Sequence, residues 1–213
     1  ILEAQHPTPS IHPDDPALAF LSVLLEEYAD EWANKPMFHY RWWYEADQQS
    51  AAGRLAEAMF PQLADAERDG AMEMIKSRMI PRLSLVGSKA ETQAQIEGFF
   101  QRQITLLSAH LRTRPYLFGE RPACADFGLY AQLYQCSTDP TPRAIMEQQA
   151  QPVLEWIERM LSPPATGEFE TWDSLEATLM PFLRQEVGGV FLPWTLANLS
   201  LIHISEPTRH RRI

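Results

Sequence analysis

Few residues in this chain are spaced for chemistry, and each such group also has a plain structural reading. Glu3-Ala4-Gln5-His6 is a lone Glu-x-x-His match. A di-iron bundle needs two such motifs on facing helices, so one match at a chain end and followed by proline is rejected. Cys124 and Cys136 stand twelve residues apart with no second pair. That is neither a disulfide framework nor a zinc pattern, and it reads as two buried small hydrophobes in a reducing cytoplasm. No Gly-x-Ser-x-Gly elbow, P-loop or His-Glu-x-x-His segment occurs. Gly188-Gly189 reads as a helix stop rather than a phosphate loop. The acidic pairs Asp14-Asp15 and Glu26-Glu27 are adjacent, so they cannot converge from one helix face and are expected to be solvated.

The elements that would position any site are helical. His12-Pro13-Asp14-Asp15-Pro16 opens a helix, with acid near the positive end and proline in the first turn. Leu18, Leu21, Leu25, Tyr28 and Trp32 then recur at spacings of three and four, which is one apolar face. Pro36 should kink or break this helix, because an interior proline loses a hydrogen bond and clashes one turn back. The pattern resumes over Phe38–Tyr44. Further helices are expected over Gln48–Phe60, Ala71–Met79 and Glu91–Arg112, a short one carrying Phe127, Tyr130 and Tyr134, then Pro142–Leu161 and Thr171–Glu186. Only Ser84–Val86 could pass for a strand, and it is too short to pair stably. The fold class that follows is all-α, a helical bundle.

With 213 residues, 45% hydrophobic and 10% aromatic, the chain has enough apolar material for a real core. A net charge of -10 argues against nucleic acid or an anionic membrane as partner, since phosphate binding needs clustered Lys and Arg. No run approaches the ~18 consecutive apolar residues of a membrane span, so a soluble, cytoplasmic protein is expected. The opening Ile-Leu-Glu-Ala-Gln-His has no basic n-region or apolar h-region, and it lacks an initiating Met, which points to a missing upstream part. Ser200–Ile213 carries three Arg and one acid behind an acidic body. It reads as the translation of a sequencing adapter joined to a truncated frame, so 200–213 is set apart from the fold as an artefactual tail.

One segment is more specific than the rest. Arg114-Pro115-Tyr116-Leu117-Phe118-Gly119-Glu120-Arg121-Pro122-Ala123-Cys124-Ala125-Asp126-Phe127 is a turn followed by a helix start. Gly119 allows the turn, and Asp126 at N3 can reach back to the N-cap backbone N–H of Ala123. Pro122 and Phe127 occupy the N′ and N4 places of a hydrophobic staple. This resembles the N-capping box and staple of the glutathione transferase family, on the helix at the centre of its C-terminal domain. The family usually has Ser or Thr at the N-cap; Ala123 here lacks the cap oxygen, a loss of ~1 kcal/mol. Asp30-Glu31-Trp32 with Lys35–Asp47 resembles the family's first long helix, whose kink opens the substrate pocket. Pro152-Val153-Leu154-Glu155-Trp156 resembles a later one.

The resemblance implies a division of the chain and of the chemistry. Residues 1–16 would be the remnant of the last helix of a thioredoxin-like domain plus a linker, and 17–199 the all-helical domain. In the family, glutathione is the co-substrate and is held mainly by the thioredoxin-like domain. That domain also supplies the Ser, Tyr or Cys favouring its thiolate, so the catalytic residue is unknown here and this chain alone should be inactive. No metal or other cofactor is implied. What remains is a wall for a hydrophobic electrophile. Taking Trp32 as the core direction, a 3.6-residue period sends Met37, Tyr40, Arg41 and Tyr44 to a neighbouring arc, away from the core. Rings and a guanidinium facing a cleft would suit an apolar electrophile and an anionic conjugate. Trp42, Trp43 and His39 fall nearer the core side, and Phe191-Leu192-Pro193-Trp194 could form a lip over the pocket. The family also implies a homodimer built partly from the first two helices. The alternative is a non-catalytic protein-association module on the same fold.

Overall fold

The computed structural model describes Gln5 and residues 8–205. The Glu-x-x-His match, apart from Gln5, the start of the 1–16 segment and residues 206–213 lie outside the described residues.

The first helix, α1 (Pro16–Tyr28), starts where its chemistry says it should: Asp15 takes an extended N-cap conformation, and its carboxylate accepts from the N–H groups of Ala17 and Leu18 at 2.8 and 3.0 Å. Leu18, Leu25 and Tyr28 are buried on its inner face, and Leu21 packs against the same core. Of the kink or break expected at Pro36, the break does not occur. The chain stays helical, but over Ala29–Ala33 it widens into a π-type turn before continuing as α2 (Asn34–Trp43). A widened turn just upstream removes the carbonyl of Trp32 from the tight ladder into which the proline ring would collide. The helix is therefore interrupted by a bulge rather than stopped.

Tyr44 is extended (φ -93°, ψ 140°) and turns the chain into α3 (Glu45–Met59), which packs against α4 (Asp65–Met79). A 3-10 turn over Ile80–Val86 follows and ends at left-handed Gly87, so Ser84–Val86 is helical and not a strand. Next come α5 (Gln93–Leu111), α6 (Cys124–Ser137), α7 (Pro140–Gln149) and α8 (Gln151–Met160). The single helix expected over Pro142–Leu161 is thus two, parted at Ala150 (φ -140°, ψ 43°), because the Pro152 ring would collide with the carbonyl one turn before it. After α9 (Trp172–Phe182) a second π-type segment, Leu183–Phe191, leads directly into α10 (Leu192–Ser205). Gly188-Gly189 therefore does not stop a helix. Added Cβ atoms there would stand 3.4 and 3.1 Å from the carbonyls of Leu183 and Arg184, so glycine makes room for the wide turn. α10 carries the helix into the first residues of the stretch set apart as a tail.

Two cores result. The main one joins α1, α2, α5, α6, α8, α9 and the second π-type segment, around Leu25, Tyr28, Tyr40, Phe100, Leu107, Leu129 and Trp156. α6 crosses α1 closely because Gly128 lies over Glu26 and Ala29, and Ser22 accepts the N–H of Ala125 at 3.1 Å. The second core sits between α2, α3, α4 and the 3-10 turn, around Trp42, Ala51, Ala52, Ala56, Ile75 and Leu83. Among the described residues no strand forms beyond isolated pairings of Gly119 with Tyr116 and Phe169, and no helix is long and apolar enough to cross a membrane.

Candidate functional site

The widened turns converge on one apolar cleft. Trp32 from the first, Lys35 and Pro36 from α2, Ile96 and Phe99 from α5, and Trp194 from α10 enclose about 260 Å³, with Val86 and Gly87 at the rim. The Trp32 ring lies 5.4 Å from Phe99 and 5.4 Å from Trp194, edge to face with the latter, while Trp194 also stacks on Phe191 at 6.4 Å. Among the described residues the one cation in this wall is Lys35. Its Nζ stands 4.0 Å from the centre of the Trp194 ring and 5.1 Å from that of Trp32, and it donates to the carbonyl of Glu31. Burial lowers the pKa of this ammonium from its ordinary value, with Glu31 pulling the other way.

A buried polar latch sets the position of Trp194. Glu186, inside the Leu183–Phe191 segment, has no exposed surface; it accepts from Tyr28 Oη at 3.2 Å and pairs with Arg102. Gln103 donates to Tyr28 Oη at 3.2 Å. Burial raises the Glu186 carboxyl and Arg102 draws it back. The latch fixes the wide turn to α1 and α5, and so aims α10 along the cleft.

The four residues expected to form the substrate wall are placed differently. Tyr40 is 1% exposed and packs edge to face on Phe100 at 5.0 Å, so the direction assigned to it, away from the core, is corrected. A single core direction fails for α2 because that helix is buried between two cores. Met37 is half-buried against the main core. Arg41 turns inward to the buried carboxylate of Asp139 at 2.8 Å and to Gln135. Tyr44 donates to Glu97 Oε1 at 2.6 Å. Glu97 also accepts from Gln93 at 3.0 Å and faces Nε2 of buried His39 at 3.3 Å, while His39 Nδ1 meets Ser88 Oγ at 2.7 Å. Burial pushes the Glu97 carboxyl up, but the hydrogen bonds from Tyr44, Gln93 and His39 outweigh it and hold it below its ordinary value. Trp194, at the segment read as a lip, is in the cleft wall. Trp42 is buried in the second core.

The helix start at α6 is a junction. Asp126 Oδ2 accepts the Ala123 N–H at 2.9 Å; Oδ1 accepts from the Leu117 N–H at 3.0 Å and from Trp156 Nε1 at 2.9 Å. Ala123 has no side-chain cap. One carboxylate thus joins the lead-in loop, the helix start and α8. Pro122 is buried, whereas Phe127 is 40% exposed; both line an apolar hollow with Pro9, Ile11 and Pro163. Beside this junction His110 is fully buried. Its Nε2 donates to the Leu117 carbonyl at 2.8 Å, so its Nδ1 accepts, from Thr178 at 2.8 Å and Arg114 at 3.1 Å.

Residues 90–168, which hold α5 to α8, the lead-in loop and the whole Asp126 junction, match the family model described as glutathione S-transferase, C-terminal domain. Over those residues the chain is similar to a glutathione S-transferase C-terminal domain. No curated protein and no solved structure matches the chain. Within the matched region the junction is a folding device, and the cleft lies at the edge of that region, with Ile96 and Phe99 inside it and Trp32, Lys35 and Trp194 outside. The place of Lys35 in the cleft was missed in the sequence because its partner ring, Trp194, is far along the chain. Glu186 was missed because a lone acid carries no periodicity; the doubled glycine beside it was the available signal.

His110 offers a check on the domain's interior. Burial is the main cause that lowers its pKa to about 4, with Arg114 adding to it and the Leu117 carbonyl opposing. The unfolded chain takes up this proton near 6.5, so between pH 6.5 and 4 it binds more protons here than the native state does. His110 therefore withdraws stability as pH falls through that window. Its ring resonances are expected to stay those of neutral imidazole down to about pH 5. A midpoint at or above 6.5 in an NMR titration would contradict the assigned hydrogen bonds.

Proposed function

We propose that this domain is the hydrophobic-substrate-binding and dimerising part of a glutathione transferase-like enzyme, in which glutathione thiolate attacks an apolar electrophile. The observation that carries the reading is the cleft: three aromatic rings, a proline and one ammonium around a space fit for a small aromatic body. The electrophile's ring would lie between Trp32, Phe99 and Trp194, in place of the arc of Met37, Tyr40, Arg41 and Tyr44. Lys35 would face the negative charge that builds on an aromatic electrophile as sulfur adds, or the anionic conjugate afterwards. Lowering the thiol pKa and holding glutathione are assigned to a thioredoxin-like domain, so this chain by itself carries no conjugation chemistry. Phe20 and Val23, exposed on α1, support self-association through the first helices.

The test has two parts. 1-Chloro-2,4-dinitrobenzene with glutathione should give no turnover above background with this chain; clear turnover would relocate the chemistry into it. A naphthalene ligand should quench tryptophan fluorescence, and Trp194→Ala should weaken that binding about tenfold, the equivalent of ~1.4 kcal/mol. No quenching in either protein would remove the cleft from the reading. A protein-association role is favoured by a different feature, the exposed stripe Leu192, Leu196 and Leu199 on α10.

A further inference from the structure

The chain has three lysines, Lys35, Lys76 and Lys89. Lys76 is buried to 9% exposure and ion-paired with Glu73, and Lys89 is out in solvent near Glu91. Lys35 is unlike both. Among the described residues it belongs to no ion pair; its polar partner is a backbone carbonyl, and its surroundings are the Trp32 and Trp194 rings, Pro36 and the apolar cleft. An amine so placed, half-buried beside two indole rings, meets an apolar molecule that enters the cleft.

We propose that Lys35 is a covalent capture site for small aromatic aldehydes, which it takes up as an imine. Once the ammonium has given a proton to solvent, the Nζ lone pair adds to the carbonyl carbon. A C–N bond forms as the C=O π pair moves to oxygen, which is protonated. The carbinolamine then loses that oxygen as water, leaving a C=N bond, with no change of oxidation state overall and full reversal by hydrolysis. The aryl group occupies the cleft that Trp32, Phe99 and Trp194 line, where contacts with their rings hold it while the carbonyl carbon lies at the amine. The lowered pKa that burial gives Lys35 raises the share of free amine at neutral pH. This step uses no residue of the transferase reaction and no glutathione, but it rests on the reading that the cleft admits an aromatic ligand.

Benzaldehyde with cyanoborohydride, which reduces an imine to a stable benzylamine, is the probe, and peptide mass mapping locates each adduct on the full chain. Lys35 is expected to be labelled about tenfold faster than Lys89, a ratio equivalent to ~1.4 kcal/mol of preference. Lys35→Arg keeps the cation over the indoles, and it should remove that adduct while far-UV circular dichroism stays unchanged. Trp194→Ala should slow labelling of Lys35 to the rate of Lys89. Equal labelling of Lys35 and Lys89 in the unaltered chain would overturn the proposal. If naphthalene still quenches tryptophan fluorescence in that case, capture fails while the cleft reading stands; if quenching is also absent, both fall together.

Discussion

Asp126→Ala is expected to lower the free energy of unfolding by about 5 kcal/mol, read as a large drop in the denaturant midpoint. Three N–H donors converge on this carboxylate: Ala123, Leu117 and Trp156. All three lie at buried residues, so their truncated partner is not replaced by water. A buried donor left unsatisfied costs about 1–3 kcal/mol, and three at one point account for the figure. Against a total stability of about 5–15 kcal/mol, such a loss brings the chain close to unfolding. Burial pushes the Asp126 carboxyl above its ordinary pKa, while the three donors work against that shift. Trp156→Phe is the graded control. It keeps a ring in place and orphans only one carboxylate lone pair, so about 1–2 kcal/mol should be lost. An Asp126→Ala change below that of Trp156→Phe would show that the junction is not what holds α6.

Gly119→Ala should be nearly as severe, about 4 kcal/mol. Gly119 has φ 142°, which side-chain-bearing residues rarely adopt, and an added Cβ would stand 2.5 Å from the Glu168 carbonyl and 2.9 Å from the Glu170 nitrogen. Both obstacles are backbone, and both are tied: Glu120 N–H donates to that same carbonyl at 2.9 Å, and Glu170 N–H to the Phe118 carbonyl at 2.8 Å. Nothing nearby can rotate away. Gly70→Ala supplies the contrast, because an added methyl in that exposed turn of α4 meets nothing within 4 Å. It should stabilise the chain by about 0.5–1 kcal/mol, since alanine restricts the unfolded chain and favours helix. Thermal unfolding of the two variants should move in opposite directions. A shared direction would mean that the lead-in loop can repack.

The all-α class was legible because Leu18, Leu25, Tyr28 and Trp32, like Ile96, Phe100, Ile104, Leu107 and Leu111, repeat on faces that do become buried. The bond from the Ala123 N–H to Asp126 was legible too, since it is local, whereas the donor from Trp156, thirty residues away, was not. What could not be read was the effect of wide turns. Pro36 signalled a kink or a break and Gly188-Gly189 a stop, yet both mark places where the helix takes an extra residue and runs on. Tyr40 was aimed away from the core because one helix was assumed to face one core, and α2 faces two. The cleft draws on α2, α5 and α10, so it has no signature in any single stretch of sequence. The same holds for Glu186, whose partners Tyr28 and Arg102 are distant in the chain.

The second core has a dynamic meaning. α3, α4 and the 3-10 turn bury their apolar surface largely with one another and with α2, and they are moored to the remainder chiefly at one end, where Asp47 accepts the Thr141 N–H and Arg54 pairs with Asp139 and donates to the Thr138 carbonyl. Such a unit is expected to open as a cooperative piece, with a smaller free energy than the whole, so that its amide hydrogens exchange ahead of those of α5 and α6. The rim residues Val86 and Gly87 belong to it, so one wall of the cleft comes and goes with that opening. A molecule lodged against Trp32 and Trp194 binds only while the wall is in place. Occupancy therefore slows the breathing of α3 and α4, and binding in the cleft is thermodynamically linked to order on the far side of α2.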